Sequence, residues 1–221
     1  MLAAPAHAPP PVVVHVLGAS VRGRTIRALE VGTLDARRKV LVVGCIHGNE
    51  PAGIAIADRL ATLPALRGVD LWIVPDLNPD GVAAGSRQNA DGVDLNRNFP
   101  WQWLSLGPSG STYYAGPHAL SEPESRIAYR LVLRLRPAVA IWFHQHLDLV
   151  DESGGSVATE RHFAALTGLP LRRLVRYPGS ATTWEDHAVP TGTAFVVELG
   201  PGRLASPEVA RFARAVRVVA R

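Results

Sequence analysis

Val40-Leu41-Val42-Val43-Gly44-Cys45-Ile46-His47-Gly48-Asn49-Glu50 is the stretch from which the rest of the chain is read. Its first seven residues carry no charged or amide side chain, the pattern of a strand covered on both faces. The polar residues begin abruptly at His47, and residues 52–60 then read as a helix. A strand that stops at polar side chains just before a helix marks the edge where open α/β sheets bind ligands. Residues 69–74, 138–143 and 193–199 are three more short, mostly apolar runs that read as buried strands. Strands alternating with helical stretches predict an α/β fold. The expected domain holds a mixed, mostly parallel twisted sheet with helices on both faces.

Working outward, residues 12–16 and 25–31 are short and β-branched, with a turn region between them, and predict a hairpin. Residues 75–116 are rich in Pro, Gly, Asn and Asp, a length that points to a functional loop. Ser121 followed by Glu124 reads as a capping box for a helix ending near Arg136, with Pro137 closing it. Thr159 is expected to cap a short helix reaching Thr167, and Ser206-Pro207-Glu208 to open the last one. No repeat or linker divides residues 12–221, which are expected to form one domain. Residues 1–11 read as a disordered Ala/Pro leader, or as the tail of a signal peptide from a longer precursor.

With 47% hydrophobic and 19% charged residues in 221, the chain is neither disordered nor collagen-like. Its net charge is only +4, and Lys39 is the sole lysine, so no lysine-rich arm is present and no nucleic-acid partner is expected. No apolar run reaches the ~18 residues of a membrane span, so no transmembrane segment is expected. Cys45 is the single cysteine, which excludes an intrachain disulfide, a zinc ribbon and a redox pair. Any metal site must therefore be built from histidine and carboxylates.

Four groups of residues carry candidate chemistry. His47 and Glu50, three apart at a helix start, can converge on one cation with a donor set that suits Zn²⁺; a capped loop with an exposed histidine is the bland alternative. Asp94-Leu95-Asn96-Arg97-Asn98-Phe99-Pro100, with Arg87 upstream, offers two guanidiniums able to fork around a carboxylate. His144 and His146 follow a buried strand, and residues two apart in an extended segment share a face, so the pattern does not separate them. Glu198, after Phe195-Val196-Val197, either has a buried partner or faces a cleft. Gly200-Pro201-Gly202 mimics a dinucleotide-binding turn but has no following strand or ribose-binding acid.

Taken together, His47-x-x-Glu50, Asn78-Pro79-Asp80-Gly81, Arg87 with Asp94 through Phe99, His144, and Glu198-Leu199 resemble the zinc carboxypeptidases of the funnelin type. The order matches from about Val12 to the C-terminus, and the His-Gly-Asn-Glu wording is most similar to the bacterial murein peptide amidase branch. The resemblance implies that His47, Glu50 and His144 ligate one Zn²⁺, with one position open for water. It implies that Asp94 orients His47 and that Glu198 is the general base. It further implies that Arg87 holds the oxyanion, while Asn96 and Arg97 bind the substrate's carboxylate. Of the two histidines, it favours His144. The family's mobile tyrosine has no firm counterpart; Tyr177 stands upstream of Glu198 without an assigned role.

The implied reaction is zinc-dependent hydrolysis of an amide bond next to a free C-terminal carboxylate, with the γ-D-glutamyl-diaminopimelate bond of murein peptides as a candidate. Residues 179–184 resemble the segment lining the side-chain pocket, and Glu185 and Asp186 beside it either face a polar zwitterionic side chain or form an exposed acidic turn. Two alternatives stand beside this reading: an N-acyl amino acid deacylase like aspartoacylase or succinylglutamate desuccinylase, and a wall-peptide binding module without turnover. The leader and the resemblance lean toward secretion or cell-wall association.

Overall fold

A computed structural model describes residues 12–221. The chain runs β1 (Val13–Ala19), β2 (Thr25–Gly32), β3 (Arg38–Val43), α1 (Ala52–Ala61), β4 (Val69–Val74), α2 (Pro79–Ala84), α3 (Pro123–Leu135) and β5 (Val139–Gln145). It continues through β6 (Leu149–Asp151), α4 (Val157–Thr167), β7 (Leu171–Arg172), α5 (Ala181–Ala188), β8 (Ala194–Leu199) and α6 (Ser206–Val219). The leader expected over residues 1–11 lies outside the described residues.

The strands form one eight-stranded sheet in the order β1-β2-β4-β3-β5-β8-β6-β7. Its centre, β4-β3-β5-β8, is parallel, and the expected hairpin β1-β2 extends it antiparallel through the β2–β4 pair. The parallel order explains why the central strands are mostly apolar: each face is covered by helices. Alternate side chains divide cleanly between two cores, as the period-2 pleat requires. Val40, Val42, Ile141, Phe143, Phe195 and Val197 pack with α1, α4 and α6 on one face. Leu41, Val43, Ala140, Trp142 and Ala194 pack with α3 and α5 on the other. The α/β domain with helices on both faces is thus as its sequence predicts.

The boundaries differ in informative ways. β3 stops at Val43, short of Ile46, because Gly44 and Cys45 already hand their backbone bonds to the β4 exit: Gly44 N–H donates to Val74 O and Leu77 N–H to Cys45 O, both at 2.9 Å. The capping box at Ser121 does not form. Glu122 holds the N-cap position, the Ser121 hydroxyl donates to Glu122, and Glu124 is turned inward to accept from Val21 N–H and Asn89 Nδ2. Ser156, not Thr159, caps α4, accepting from Thr159 N–H. The long loop over residues 75–116 contains the short helix α2, and α5, β6 and β7 are further elements that the sequence pattern left within connections. These pieces are too short, or too polar, to carry a periodic signal of their own.

Candidate active site

The candidate metal ligands and Glu198 stand at the C-terminal ends of β3, β5 and β8, and the long loop after β4 brings Arg87, Asp94, Asn96 and Arg97 to them. After β3 the chain makes a turn closed by Glu50 N–H donating to His47 O at 2.9 Å, so His47 and Glu50 precede α1 rather than lie in it. This turn is braced by the Asn78–Gly81 segment. Asn78 Nδ2 donates to Ile46 O at 3.1 Å while its Oδ1 caps α2 by accepting from Gly81 N–H at 3.0 Å. Gly48 lies against the same helix so closely that a Cβ would come within 1.9 Å of the Gly81 carbonyl carbon. The glycine and asparagine therefore fix where the two candidate ligands stand.

His144 occupies the end of β5. It leaves the sheet on the same face as Ala140 and Trp142, and its register partner on β8 is Glu198. The side chains of His47, Glu50 and His144 converge, each offering a ligand atom within 4.8 Å of the others, and all three residues are buried. The Nδ1 atoms of His47 and His144 lie 3.0 and 2.9 Å from the same Glu50 oxygen, Oε2. His146 lies past the end of the strand, exposed at the cavity rim, so strand alternation does not carry it into this cluster.

Two observations test whether these residues suit a metal ion. His47 Nδ1 is buried and, despite its approach to Glu50, has no hydrogen-bond partner, while its other nitrogen, Nε2, pairs with Asp94 Oδ1 at 3.0 Å. A histidine fixed by a carboxylate on one nitrogen with the other turned to two further donors is the arrangement of a metal-ligating imidazole. The electrostatics agree with a cation site. Burial alone would raise the pKa of Glu50, but the hydrogen bond from His144 and the attraction of the nearby His47 outweigh it and hold the carboxyl well below its usual range. Asp94 is depressed in the same way, burial being outweighed by His47 and then Arg87. Burial opposes charge on His47, yet Asp94 and Glu50 prevail and raise its pKa. The donor set, two imidazoles and a carboxylate, fits zinc.

Arg87 ties the centre to the long loop. Its Nε donates to Asp94 Oδ2 and its Nη1 to Glu50 Oε1, both at 3.0 Å. Asp94 also accepts from Asn96 N–H at 3.0 Å, which starts a short 3-10 turn over Leu95–Arg97 and aims the next two side chains. Asn96 Oδ1 accepts from Ala181 N–H at 2.8 Å, so only the NH2 end of its amide is free to serve a ligand. Gly179 makes this docking possible: its φ is +69° and a Cβ there would lie 2.2 Å from Arg97 O.

His47, Glu50, Arg87, Asn96, Arg97 and His144 line one cavity of about 590 Å³ that also includes Glu198. Glu198 is 9% exposed, and its Oε2 has no hydrogen-bond partner. Burial raises its pKa, the attraction of His144 opposing the shift. The structure also brings in Tyr113, which the sequence had not singled out, and gives Tyr177, left without a role, a place beside it. Tyr113 and Tyr177 stack with centroids 6.5 Å apart, and Arg97 Cζ lies 4.2 Å from the Tyr177 ring and 5.5 Å from that of Tyr113. Tyr113 stands in a Gly- and Ser-rich stretch with no pattern around it, so only folding reveals its place.

Neither expectation for Glu185 and Asp186 holds, since neither residue lines this cavity and neither is fully exposed. Glu185 is buried beneath α5, where Trp142 Nε1 donates to its Oε2 at 2.8 Å, and burial pushes its pKa up to about 8. Asp186 accepts from Ala194 N–H at 2.8 Å and lines an adjoining, smaller cavity. A helical turn places Glu185 on the core side of α5, whereas Thr182 and Thr183 reach the main cavity. The charged residues on the side-chain wall are Asp151 and Arg176 instead.

Comparison with known proteins extends the geometry. The profile of the zinc carboxypeptidase family matches residues 2–150. Murein peptide amidase A of Escherichia coli K12 is 34% identical over 164 residues, a match spanning 67% of this chain and 66%, just under two thirds, of the relative. The Vibrio campbellii protein of the same name is 31% identical over 183 residues, spanning 76% of this chain and 72% of its own. Among solved structures, murein-tripeptide amidase MpaA from Escherichia coli O157 superposes with a TM-score of 0.78 at 27% identity, covering 96% of this chain and 93% of that one.

Proposed function

Since the chain belongs to the zinc carboxypeptidase family, we propose that it is a zinc-dependent peptide amidase that cleaves the bond before a free C-terminal carboxylate, with murein peptides as its substrates. The observation that carries this reading is the sharing of one cavity by the His47–Glu50–His144 cluster, Glu198 with its unpartnered Oε2, and the Asn96–Arg97 pair. His47, Glu50 and His144 would hold the zinc ion, which would supply Lewis acidity at the reacting centre. Glu198, the register partner of His144, takes a proton from the attacking water and returns it to the leaving amine. Arg87, oriented by Asp94 and Glu50, stabilises the negative charge that develops on the carbonyl oxygen. Arg97 and the amide NH2 of Asn96 bind the terminal carboxylate, and Tyr113 and Tyr177 cover the guanidinium.

The similarity to murein peptide amidases supports a peptide bond rather than an N-acyl amino acid as the target. The test is release of diaminopimelate from a γ-D-glutamyl-diaminopimelate tripeptide by the zinc-loaded protein, with loss of activity on chelation and recovery on adding zinc. Absence of release from this and from ordinary C-terminal peptides would overturn the reading. No helix of the described residues is long and apolar enough to cross a membrane.

A further inference from the structure

The net charge of +4 understates how basic the exterior is. Of the 23 Lys and Arg residues only Arg97 is buried, whereas 11 of the 19 Asp and Glu residues are. Folding withdraws most carboxylates from the surface and leaves the guanidiniums on it. One end of the sheet, opposite the candidate metal ligands, is where β3, β4 and β5 begin and α1, α3 and α6 end. There residues 33–38, 62–68 and 136–138 and the end of α6 carry Arg37, Arg38, Arg67, Arg136, Arg217 and Arg221, against a single acid, Asp35. Contacts join these segments into one surface. Arg38 Nε donates to Ala220 O and Arg217 Nη1 to Pro64 O, both at 2.6 Å, and Ala138 N–H donates to Lys39 O at 2.8 Å. Helix C-termini favour nearby cations, which accounts for Arg38, Arg136 and Arg217. It does not account for Arg37 and Arg67, which lie outside the last turn of any helix, nor for Arg221, whose like charge adds to burial in lowering the pKa of Arg217. Arg37, Arg67 and Arg221 are all exposed, and among the described residues no carboxylate pairs with them. The same end exposes apolar side chains: Val12 just before β1, Leu34 among residues 33–38, Leu133 in the last turn of α3 and Val218 in that of α6.

We propose that this end of the molecule is a peripheral docking surface for an anionic phospholipid bilayer, with Arg37, Arg67 and Arg221 meeting headgroup phosphates and Leu34 and Val218 entering the interface between them. Guanidiniums pair bidentately with phosphate oxygens, a chemistry that a lipid headgroup and a soluble polyphosphate share. The apolar side chains beside them decide between the two. A soluble polyanion leaves Val12, Leu34, Leu133 and Val218 in water, whereas the boundary between headgroups and acyl chains takes up apolar groups while its phosphates attract the cations. The cations also come from separate loops, so they form a patch suited to a surface rather than a row along one element. Orientation follows from the topology. With the strand beginnings against the bilayer, His47, His144 and Glu198 at the opposite strand ends face away from it, and their cavity stays open to solvent. The inference stands apart from the peptidase reading, since it uses none of the residues of that site.

The experiment mixes the full zinc-loaded chain with vesicles of phosphatidylcholine alone, or of phosphatidylcholine and phosphatidylglycerol in equal parts, and reads the bound fraction by sedimentation. The expected result is binding to the phosphatidylglycerol vesicles only, weakening as salt rises and the Debye length shortens from about 10 Å at 0.1 M to about 3 Å at 1 M. These two arms need only the wild-type protein. Each surface arginine contributes about five-fold to the partition coefficient, so the double variant Arg67→Gln/Arg221→Gln should bind roughly twenty-fold more weakly. Arg22→Gln/Arg203→Gln removes the same charge from exposed positions at the zinc-site end and should bind nearly as the wild type does. Leu34→Ser, which leaves the charge unchanged, should weaken binding to vesicles but not to soluble polyphosphate. Thermal unfolding verifies that each variant is folded. No binding to phosphatidylglycerol vesicles, equal binding to both vesicle types, or equal losses in the two folded double variants would overturn the inference. So would binding of polyphosphate without binding of vesicles, which would assign the patch to a soluble polyanion.

Discussion

His144 and Glu198 stand opposite one another on the adjacent parallel strands β5 and β8, with both side chains leaving the sheet on the face covered by α3 and α5. One is a candidate metal ligand and the other a candidate base, and the spacing between them is set by backbone hydrogen bonds rather than by a loop. The Glu198 side chain is therefore replaceable without moving His144. Glu198→Gln is expected to retain zinc while losing roughly 10²–10⁴ in kcat, the range for removal of a general base. Metal analysis and steady-state kinetics on the same preparation check it, and a near-normal rate would refute the role.

The two histidines near the end of β5 should behave differently. His144 is 4% exposed and joined to Glu50, whereas His146 is exposed at the rim. His144→Ala removes one of three protein ligands and should lower zinc content sharply, while His146→Ala should not. Equal zinc retention in the two variants would contradict the assignment.

Arg97 gives a prediction about substrate ends. A charge-assisted contact to a carboxylate is worth about 1.5–3 kcal/mol. Arg97→Ala should thus reduce kcat/KM for peptides with a free C-terminus by roughly ten- to a hundred-fold, with little further effect on C-terminally amidated analogues. Equal losses on both substrates would show that Arg97 supports the loop rather than the ligand.

Gly48 tests the brace under the candidate metal ligands. A methyl group at this position meets the Gly81 backbone, which cannot turn aside as a side chain would. Gly48→Ala should lower stability by about 1–3 kcal/mol, the usual cost of overpacking, and weaken zinc binding by displacing the His47–Glu50 turn. Denaturant unfolding and zinc titration read the two effects, and wild-type behaviour in both would show that the turn is not held there.

Glu185 predicts a pH dependence of stability unrelated to the metal. Its pKa rises from an ordinary 4.5 to about 8, chiefly by burial, so between these values the unfolded chain has released a proton that the folded chain retains. Stability then falls as pH rises through this window and levels off above about 8. Glu185→Gln keeps an acceptor for Trp142 Nε1 and removes the titration, so its stability should fall less steeply over the same range. Parallel stability curves for the two proteins would exclude this origin.

The sequence by itself determined the layered α/β plan, because central strands covered on both faces must be largely apolar, as residues 40–43, 71–74 and 194–197 are. It also exposed the zinc carboxypeptidase pattern, because His47, Glu50, Asp94, Arg87 and Glu198 sit at strand ends or in a loop too long to be passive. Choosing His144 over His146 on physical grounds took the fold, since it depends on where β5 ends and on which β8 residue lies opposite. The charge of the side-chain wall was hidden for a related reason. Glu185 and Asp186 adjoin the pocket segment in sequence, but the turn of α5 carries Glu185 into the core. Asp151 and Arg176, 25 positions apart, meet at the cavity through the short strands β6 and β7. Local periodicity reports which face of an element is apolar; the partners that a polar side chain finds across the fold are set by sheet order and loop closure, which no single window of sequence contains.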